Sequence, residues 1–588
     1  MANSVALIES GDIFLQDGEV QQAIVCYEKA LTFSLSIEHQ SRVRNNLGVA
    51  YKRLGFFQKA IEHYTKGIQE NATYSAFYSN LASIYQVHHE YKTALGYLVQ
   101  ALNIDATATL FMRIIELCKL LKEPKRAFEY AQLAVKTLPK AYESHLLLGN
   151  LFSEWKQYAK AVECYQRAIA LDSTKTQAFN NIGVAYKELE QFDLARNAYE
   201  MVLKLNPDDS AVYNNYGNLL RHCKETQKAI AYLEHSIKLN PTYADAYSNL
   251  GAIYKEGYRY QEARSYYQKA LALNPEHVNA HFDLGLIELS EGNYDEGLRH
   301  YEYRIRMNEL IAKIHMFKTP MWQGQPLTNK RLILQNEQGY GDNIMFIRYA
   351  EQFKALGAYV IVRTRPALMR LFEGVKGIDL ICSEEEAIVE HDYYLPVLSS
   401  AFYLKTDLKT IPARASYLEA HKELYPLPSA NAAKKIGLVW SGSPTHKAHK
   451  ERYVGLKTLS SLFDIEGIQW HSLQLGDDAQ EIEACGFSET LLNHADTLTD
   501  FAMTAALIHQ LDLVITTDTS VAHLCGALGK EAWVMIPKHA DWRWLQEGGT
   551  TPWYPSLRLF RQTHRGVWSD VVDAMKRQLE ANTKDKNQ

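Results

Sequence analysis

Three short segments in the second half of the chain combine the residue types that phosphate chemistry uses. Asn336-Glu337-Gln338-Gly339-Tyr340-Gly341-Asp342-Asn343 follows an apolar run, and its glycines suit a tight strand-to-helix turn that a ligand can approach closely. Such a turn also occurs in many α/β units that bind nothing there. Trp440-Ser441-Gly442-Ser443-Pro444-Thr445-His446-Lys447, with Lys450 and Arg452 beyond it, sets basic groups just past a second run. They can neutralise phosphate or simply remain solvated. Asp518-Thr519-Ser520-Val521-Ala522-His523 follows a third run and opens a small-residue stretch ending at Gly529. A helix N-terminus with hydroxyls suits a diphosphate, although Asp518 or Thr519 would serve equally as a plain N-cap. His446 and His449 form an H-x-x-H pair with no third ligand at a metal-binding spacing, so no metal is expected. Trp542, Trp544, Trp553 and Tyr554 offer either a stacking surface for a nucleobase or ordinary packing.

The elements that must position these segments are strand-like apolar runs alternating with helical stretches, the pattern of parallel α/β sheets. The runs are Arg331–Asn336, Tyr359–Arg363, Ile378–Cys382 and Tyr393–Val397, then Lys435–Trp440, Gln469–Gln474, Leu511–Thr516, Ala532–Ile536 and Arg558–Phe560. A polar segment around His421–Asn431, with Pro426 and Pro428, reads as the linker between two Rossmann-like lobes, residues 312–428 and 429–582. Residues 583–588 read as a disordered tail.

The first half is a repeat. Gly149, Gly183, Gly217, Gly251 and Gly285 recur every 34 residues, followed at 12 by Ala161, Ala195, Ala229, Ala263 and Gly297, then by Tyr165, Tyr199, Leu233, Tyr267 and Tyr301. Earlier units are marked by Gly11/Ala23/Tyr27, Gly48/Ala60/Tyr64, Ala82/Ala94/Leu98 and a degenerate Ile115/Ala127/Ala131. Pro207, Pro241 and Pro275 punctuate unit ends, where a helix must stop. The pattern resembles the tetratricopeptide repeat (TPR), giving about nine units over residues 4–311 and an α-solenoid over 1–311. Paired short helices cannot bury their apolar faces alone, so the units must stack, and a right-handed superhelix with a concave groove is expected.

Asn46, Asn80, Asn181, Asn215 and Asn249 stand two places before the small residue, with Asp283 in the last unit. The resemblance puts them on the groove side, where an amide can pair with both the C=O and the N–H of an extended peptide. Each bond contributes about 0.5–1.5 kcal/mol, so several are needed. The alternative is that they cap helices or bridge neighbouring repeats. Arg113 and Leu147 interrupt the ladder. The arrangement is similar to the TPR half of O-GlcNAc transferase.

Taken in order, the Gly-Tyr-Gly-Asp turn, the Trp-x-Gly-x-Pro-x-His-Lys segment and the Asp-Thr-Ser-x-x-His-Leu helix start resemble heptosyltransferase-related glycosyltransferases, particularly the bacterial group fused to TPR arrays. The resemblance covers about residues 320–575, including the tail Asp541-Trp542-Arg543-Trp544 and Trp553-Tyr554-Pro555. It implies a GT-B fold and inverting, metal-independent sugar transfer from a nucleotide-activated donor. It makes Asp342 the general base and places Gly339, Gly341, Ser441, Gly442, His446, Lys447, Arg452, Asp518, Thr519, Ser520 and His523 at the donor. His449 and Tyr453 depart from the pattern, which expects an acidic residue and a serine there. A Ser/Thr-bearing protein in the TPR groove is the implied acceptor, flagellin being one candidate. The competing readings are a lipopolysaccharide or glycan transferase and a TPR scaffold whose GT-B lobes have lost catalysis.

Composition narrows the classes. The 588 residues are 47% hydrophobic and 22% charged with a net charge of −5, which gives no bulk attraction to nucleic acid or anionic membrane. No segment approaches ~18 uninterrupted apolar residues, so no membrane span is expected. Seven scattered cysteines without a C-x-x-C pair suit a reducing compartment, and the expected location is the cytoplasm.

Overall fold

The computed structural model describes residues 2–337, 339–427, 434–445 and 448–584. It divides into two compact units, Met1–Pro241 and Thr242–Gln588.

Unit one consists, among the described residues, of seven helical hairpins running from Ala2–Gln16 with Val20–Ala30 to Ser210–His222 with Thr226–Leu239. The recurring small residue and aromatic have a steric cause. A Cβ on Gly48 would lie 2.3 Å from the Tyr64 ring, and one on Gly183 would lie 2.5 Å from Tyr199. Both tyrosines are fully buried. The first helix of each hairpin ends on a residue in the left-handed region: Gly18 and Gly55, then His89, Lys122, Lys156, Glu190 and Lys224. Tyr258 and Gly292 hold the same place in unit two. Glycine carries no steric penalty there; the other residues accept one of about 1–2 kcal/mol, offset by the hairpin they close.

Unit two opens with two further hairpins, Ala244–Glu256 with Tyr260–Leu273 and Val278–Ser290 with Tyr294–Tyr301. Two parallel sheets follow. The first holds β1 (Arg331–Gln335), β2 (Tyr359–Thr364), β3 (Leu380–Ser383) and β4 (Tyr393–Pro396), in the order β3-β2-β1-β4. The second holds β5 (Lys434–Val439), β6 (Ile468–Ser472), β7 (Leu491–Asn493), β8 (Leu513–Thr517), β9 (Ala532–Ile536) and β10 (Leu557–Arg561). Its order is β10-β9-β8-β5-β6-β7. All ladders are parallel, in register from Ile333↔Ile361 in the first sheet to Leu438↔Ile515 in the second.

One core cluster joins Leu289, Tyr294, Leu298 and Tyr301 of the last hairpin to strand residues of both sheets and to Trp542, Trp544 and Trp553. The repeat helices thus end at Tyr301, yet their last members are built into the α/β body. Part of the expected linker is also packed: Tyr425 Oη bonds His494 Nδ1 at 2.8 Å, and the Leu427 N–H donates to Gln510 Oε1 at 3.0 Å. The lobe boundary at 428/429 lies outside the described residues. The last helix, Ser569–Lys584, lays Val572, Met575 and Leu579 under the second sheet and reaches two residues into the segment expected to be disordered. No described helix is long and apolar enough to cross a membrane.

Candidate functional site

In open parallel sheets, ligands bind beyond the carboxyl ends of strands where the strand order reverses. The first sheet reverses between β1 and β4, and the second between β5 and β8. The three segments singled out in the sequence are the loops leaving β1, β5 and β8.

The loop after β1 is shaped by its own polar groups. Asn343 Nδ2 donates to the Gly339 carbonyl at 2.6 Å, and the Glu337 N–H donates to Asn343 Oδ1 at 3.3 Å. Glu337 is anchored from the repeat side. Arg304 donates to its two oxygens at 3.0 and 2.8 Å and to Ser399 at 2.8 Å, and the Leu398 N–H donates to it at 2.9 Å. Gly341 is required by contact rather than by turn geometry: a Cβ there would lie 2.6 Å from the His523 ring and 3.4 Å from Ser520 Cα. Helices Tyr340–Phe346 and Ser520–Ala527 therefore meet at Gly341, which brings the loops after β1 and β8 together.

Asp342 faces a chain of alternating charges. Arg543 donates to Asp342 Oδ1 at 2.5 Å and to Asp541 Oδ1 at 2.7 Å. Arg452 pairs with Asp518 at 2.9 Å and stands 4.0 Å from the second oxygen of Asp541. Burial raises the Asp342 pKa; Arg543 opposes that, while Asp541 and Glu337 reinforce it. Burial also works to raise Asp541, but Arg543 and Arg452 outweigh it and hold that carboxyl below its ordinary value. His523 is a neutral member: burial foremost, then Arg543, push its pKa down to about 3. Its ring stacks on Trp544, and Nδ1 meets the Tyr554 hydroxyl at 3.0 Å.

The remaining assigned residues divide. Thr519 caps its helix, accepting from the Val521 N–H at 3.3 Å and meeting Thr516 Oγ1 at 3.1 Å, so the capping alternative describes this residue. Gly442 lies against Thr519, where a Cβ would be 3.5 Å from its methyl. Ser441 is buried, with its N–H donating to Gln474 Oε1 at 3.0 Å. Gly339, Gly341, Asp342, Arg452, Asp518, Thr519, Ser520 and His523 form one connected region, with Ser441 and Gly442 at its edge. His446 and Lys447 lie outside the described residues. Trp542, Trp544, Trp553 and Tyr554 are at most 3% exposed, so they pack rather than offer a stacking face. Trp553 Nε1 donates to Tyr294 of the last hairpin at 2.9 Å. Glu451, beside Arg452, accepts from Tyr258 Oη at 3.1 Å, which ties the loop after β5 to the turn of the eighth hairpin.

Arg543, Asp541 and the Arg304–Glu337 pair were not singled out for chemistry by the sequence. The available signal for Arg543 was its place between two tryptophans, since a cation flanked by core aromatics must be paired.

The asparagine ladder bonds across repeats. Asn46 Nδ2 donates to Asp12 at 2.8 Å, Asn80 to Asn45 at 2.8 Å, Asn181 to Asn150 at 2.8 Å and Asn215 to Asn180 at 2.9 Å. Arg113, at the break, reaches back to Ser79 at 2.7 Å and Gln86 at 2.8 Å. All five ladder asparagines, Asn249 included, are half-buried. Among the described residues, no group of three His, Cys, Asp or Glu side chains could hold a metal ion.

Tetratricopeptide repeat family models match residues 41–74, 176–209, 208–276 and 249–307, and a TPR repeat model matches 149–190. TPR repeats are therefore present in this chain. Among curated proteins it is similar to Protein FlbA of Caulobacter vibrioides, 26% identical over 299 residues, 45% of this chain and 49% of that one. It is also similar to BBSome complex member BBS4 of Bos taurus, 26% identical over 205 residues, 29% of this chain and 39% of that one. The matches thus span less than half of either relative. Among solved structures, YrrB, a TPR protein with an unusual peptide-binding site, aligns over 37% of this chain and 96% of its own, at 21% identity and a TM-score of 0.21.

Proposed function

We propose that unit two is a nucleotide-sugar-dependent glycosyltransferase on the GT-B plan, its two sheets forming the acceptor and donor lobes. One observation carries the reading. Asp342, delivered by the first sheet, and Arg452, Asp518, Asp541 and Arg543, delivered by the second, converge in a single charge chain beyond both strand-order reversals. A carboxylate opposite two guanidiniums is the equipment for hydroxyl attack on a sugar whose leaving group is a diphosphate. Asp342 takes the proton from the acceptor hydroxyl, and this help contributes about 10²–10⁴-fold. Arg452 and Arg543 balance charge growing on the departing phosphate, aided by the N–H groups at the start of the Ser520 helix. Attack from the side opposite the leaving group inverts the anomeric centre, and the arginines meet the electrostatic need that a metal would otherwise serve.

The acceptor in this proposal is a Ser/Thr-bearing protein held by the TPR array, flagellin being one such protein. The inter-repeat bonds of the ladder asparagines favour a second reading, in which the array recruits partners while the lobes act on a glycan.

Melting the pure protein against a panel of nucleotide sugars tests the donor site. A true donor at 100 times its dissociation constant adds about 2.7 kcal/mol and raises the melting temperature. If no nucleotide sugar does so, the transferase reading fails and a scaffold remains.

A further inference from the structure

The charge chain contains an asymmetry that bears on the order of events. Three carboxylates (Asp342, Asp541, Asp518) share two guanidiniums, leaving one negative charge in excess. A diphosphate diester brings two more, so on binding it competes with a carboxylate for a guanidinium. The two arginines are not equivalent in what they would leave behind. If Arg452 moved, Asp518, whose side chain is 4% exposed, would lose its 2.9 Å partner in the protein interior. If Arg543 moved, Asp541 would keep Arg452, and the carboxylate left without a guanidinium would be Asp342, which is 24% exposed. Stranding a buried charge is the costlier outcome. Arg543 also has a donor to spare: its Nε has no hydrogen-bond partner among the described residues.

Resting on the transferase reading, we propose that Arg543 gates the base: it holds Asp342 until an incoming diphosphate draws the guanidinium away, freeing Asp342 to accept a proton only when a donor is bound. Arg543 thus has two alternative partners, Asp342 and the diphosphate, and the chemistry becomes ordered, donor first. Such a gate would also limit wasteful proton transfer at an unliganded base.

The other groups around Asp342 leave it as the one that responds. Glu337 is committed to Arg304, which also pairs with Glu302. Asp541 and Asp518 retain Arg452. His523 is neutral, and burial pushes Tyr301, whose ring lies under Arg304, up to about 12. An opposite charge within about 4–6 Å lowers a carboxyl pKa by about 1–3 units, so departure of Arg543 should return a shift of that size to Asp342. Anion binding should then be coupled to proton uptake.

Calorimetric titration with inorganic pyrophosphate, repeated between pH 5.5 and 8 in buffers of different ionisation enthalpy, measures that uptake. The anion's own ionisation cancels between wild type and Asp342→Asn. The proposal expects wild type to take up a fraction of a proton more than the variant, the rest of the Asp342 population staying ionised and able to act as base. It also expects Asp342→Asn to bind pyrophosphate more tightly, about tenfold for each pKa unit the wild-type carboxyl must recover. Should the amide variant fail to fold, Asp342→Ala gives the same readout. Binding with equal proton uptake and equal affinity in both proteins overturns the gate and leaves the donor site standing. Absence of any pyrophosphate or nucleotide-sugar binding overturns the gate and the transferase reading together.

Discussion

Asp342 and His523 sit on either side of one close helix contact, and burial shifts them in opposite directions. A raised carboxyl pKa makes Asp342 a stronger base than an exposed aspartate, and a depressed imidazole pKa keeps His523 from adding a cation beside Arg543. Asp342→Asn should cut sugar transfer by about 10²–10⁴-fold while leaving donor-induced stabilisation at least as large as in wild type, as read by turnover and by thermal melts on the same preparation. His523 predicts a pH effect on stability. Its pKa is about 6.5 when unfolded and about 3 when folded, so protons bind the unfolded chain preferentially between those values. The stability it contributes is complete above pH 6.5 and is lost as pH falls toward 3, by about 1.4 kcal/mol per unit. His523→Asn should therefore show a shallower loss of stability between pH 6.5 and 4 than wild type. Parallel slopes would remove His523 from the acid response. At this scale the segments that hold Asp342, Arg452 and Asp518 were legible because each follows a strand, while the role expected of Asp342 came from the family resemblance. The place of Arg543 between two tryptophans says that it must be paired but not with what: its partner Asp342 is 201 residues away.

At the scale of elements, the decisive fit is Gly341 against His523. The Tyr554 bond and the Trp544 stack leave the imidazole little room to yield. Gly341→Ala should destabilise unit two by about 1–3 kcal/mol and weaken donor binding by separating the two loops. Denaturant melts and ligand-induced shifts would reveal both losses, and an unchanged melt would mean the helices can part without cost. Periodicity made the repeats and most strands legible, because a 34-residue spacing and short β-branched runs are local properties. β7, Leu491–Asn493, escaped because three residues at a sheet edge carry too little alternation to register. The left-handed turns at Lys122, Lys156, Glu190 and Lys224 escaped for another reason: nothing in a lysine or glutamate announces a positive φ. The tryptophans were ambiguous between ligand stacking and core, and only the packing of Tyr294 and Phe346 against them resolves it.

For the molecule as a whole, the functional body starts earlier than repeat spacing implies. Counting repeats to residue 311 treats the array as finished before the α/β body begins, whereas the compact unit begins at Thr242. Tyr294 and Tyr301 pack on Trp542, and Arg304 pairs with the buried Glu337 beside the loop after β1. A fragment starting at 242 should fold cooperatively. One starting at 312 should not, because it uncovers the tryptophan cluster and strands the Glu337 charge, a loss of about 3–5 kcal/mol from the ion pair alone. Near-ultraviolet circular dichroism of the two fragments distinguishes these outcomes. The most direct test of the central claim, that Asp342 and the two arginines form a sugar-transfer centre, is the intact mass of a Ser/Thr-rich unfolded protein incubated with the full chain and a stabilising nucleotide sugar. Wild type should add one sugar residue or more and Asp342→Asn none over the same time, although both bind the donor. Equal mass gain with the two proteins would contradict the claim.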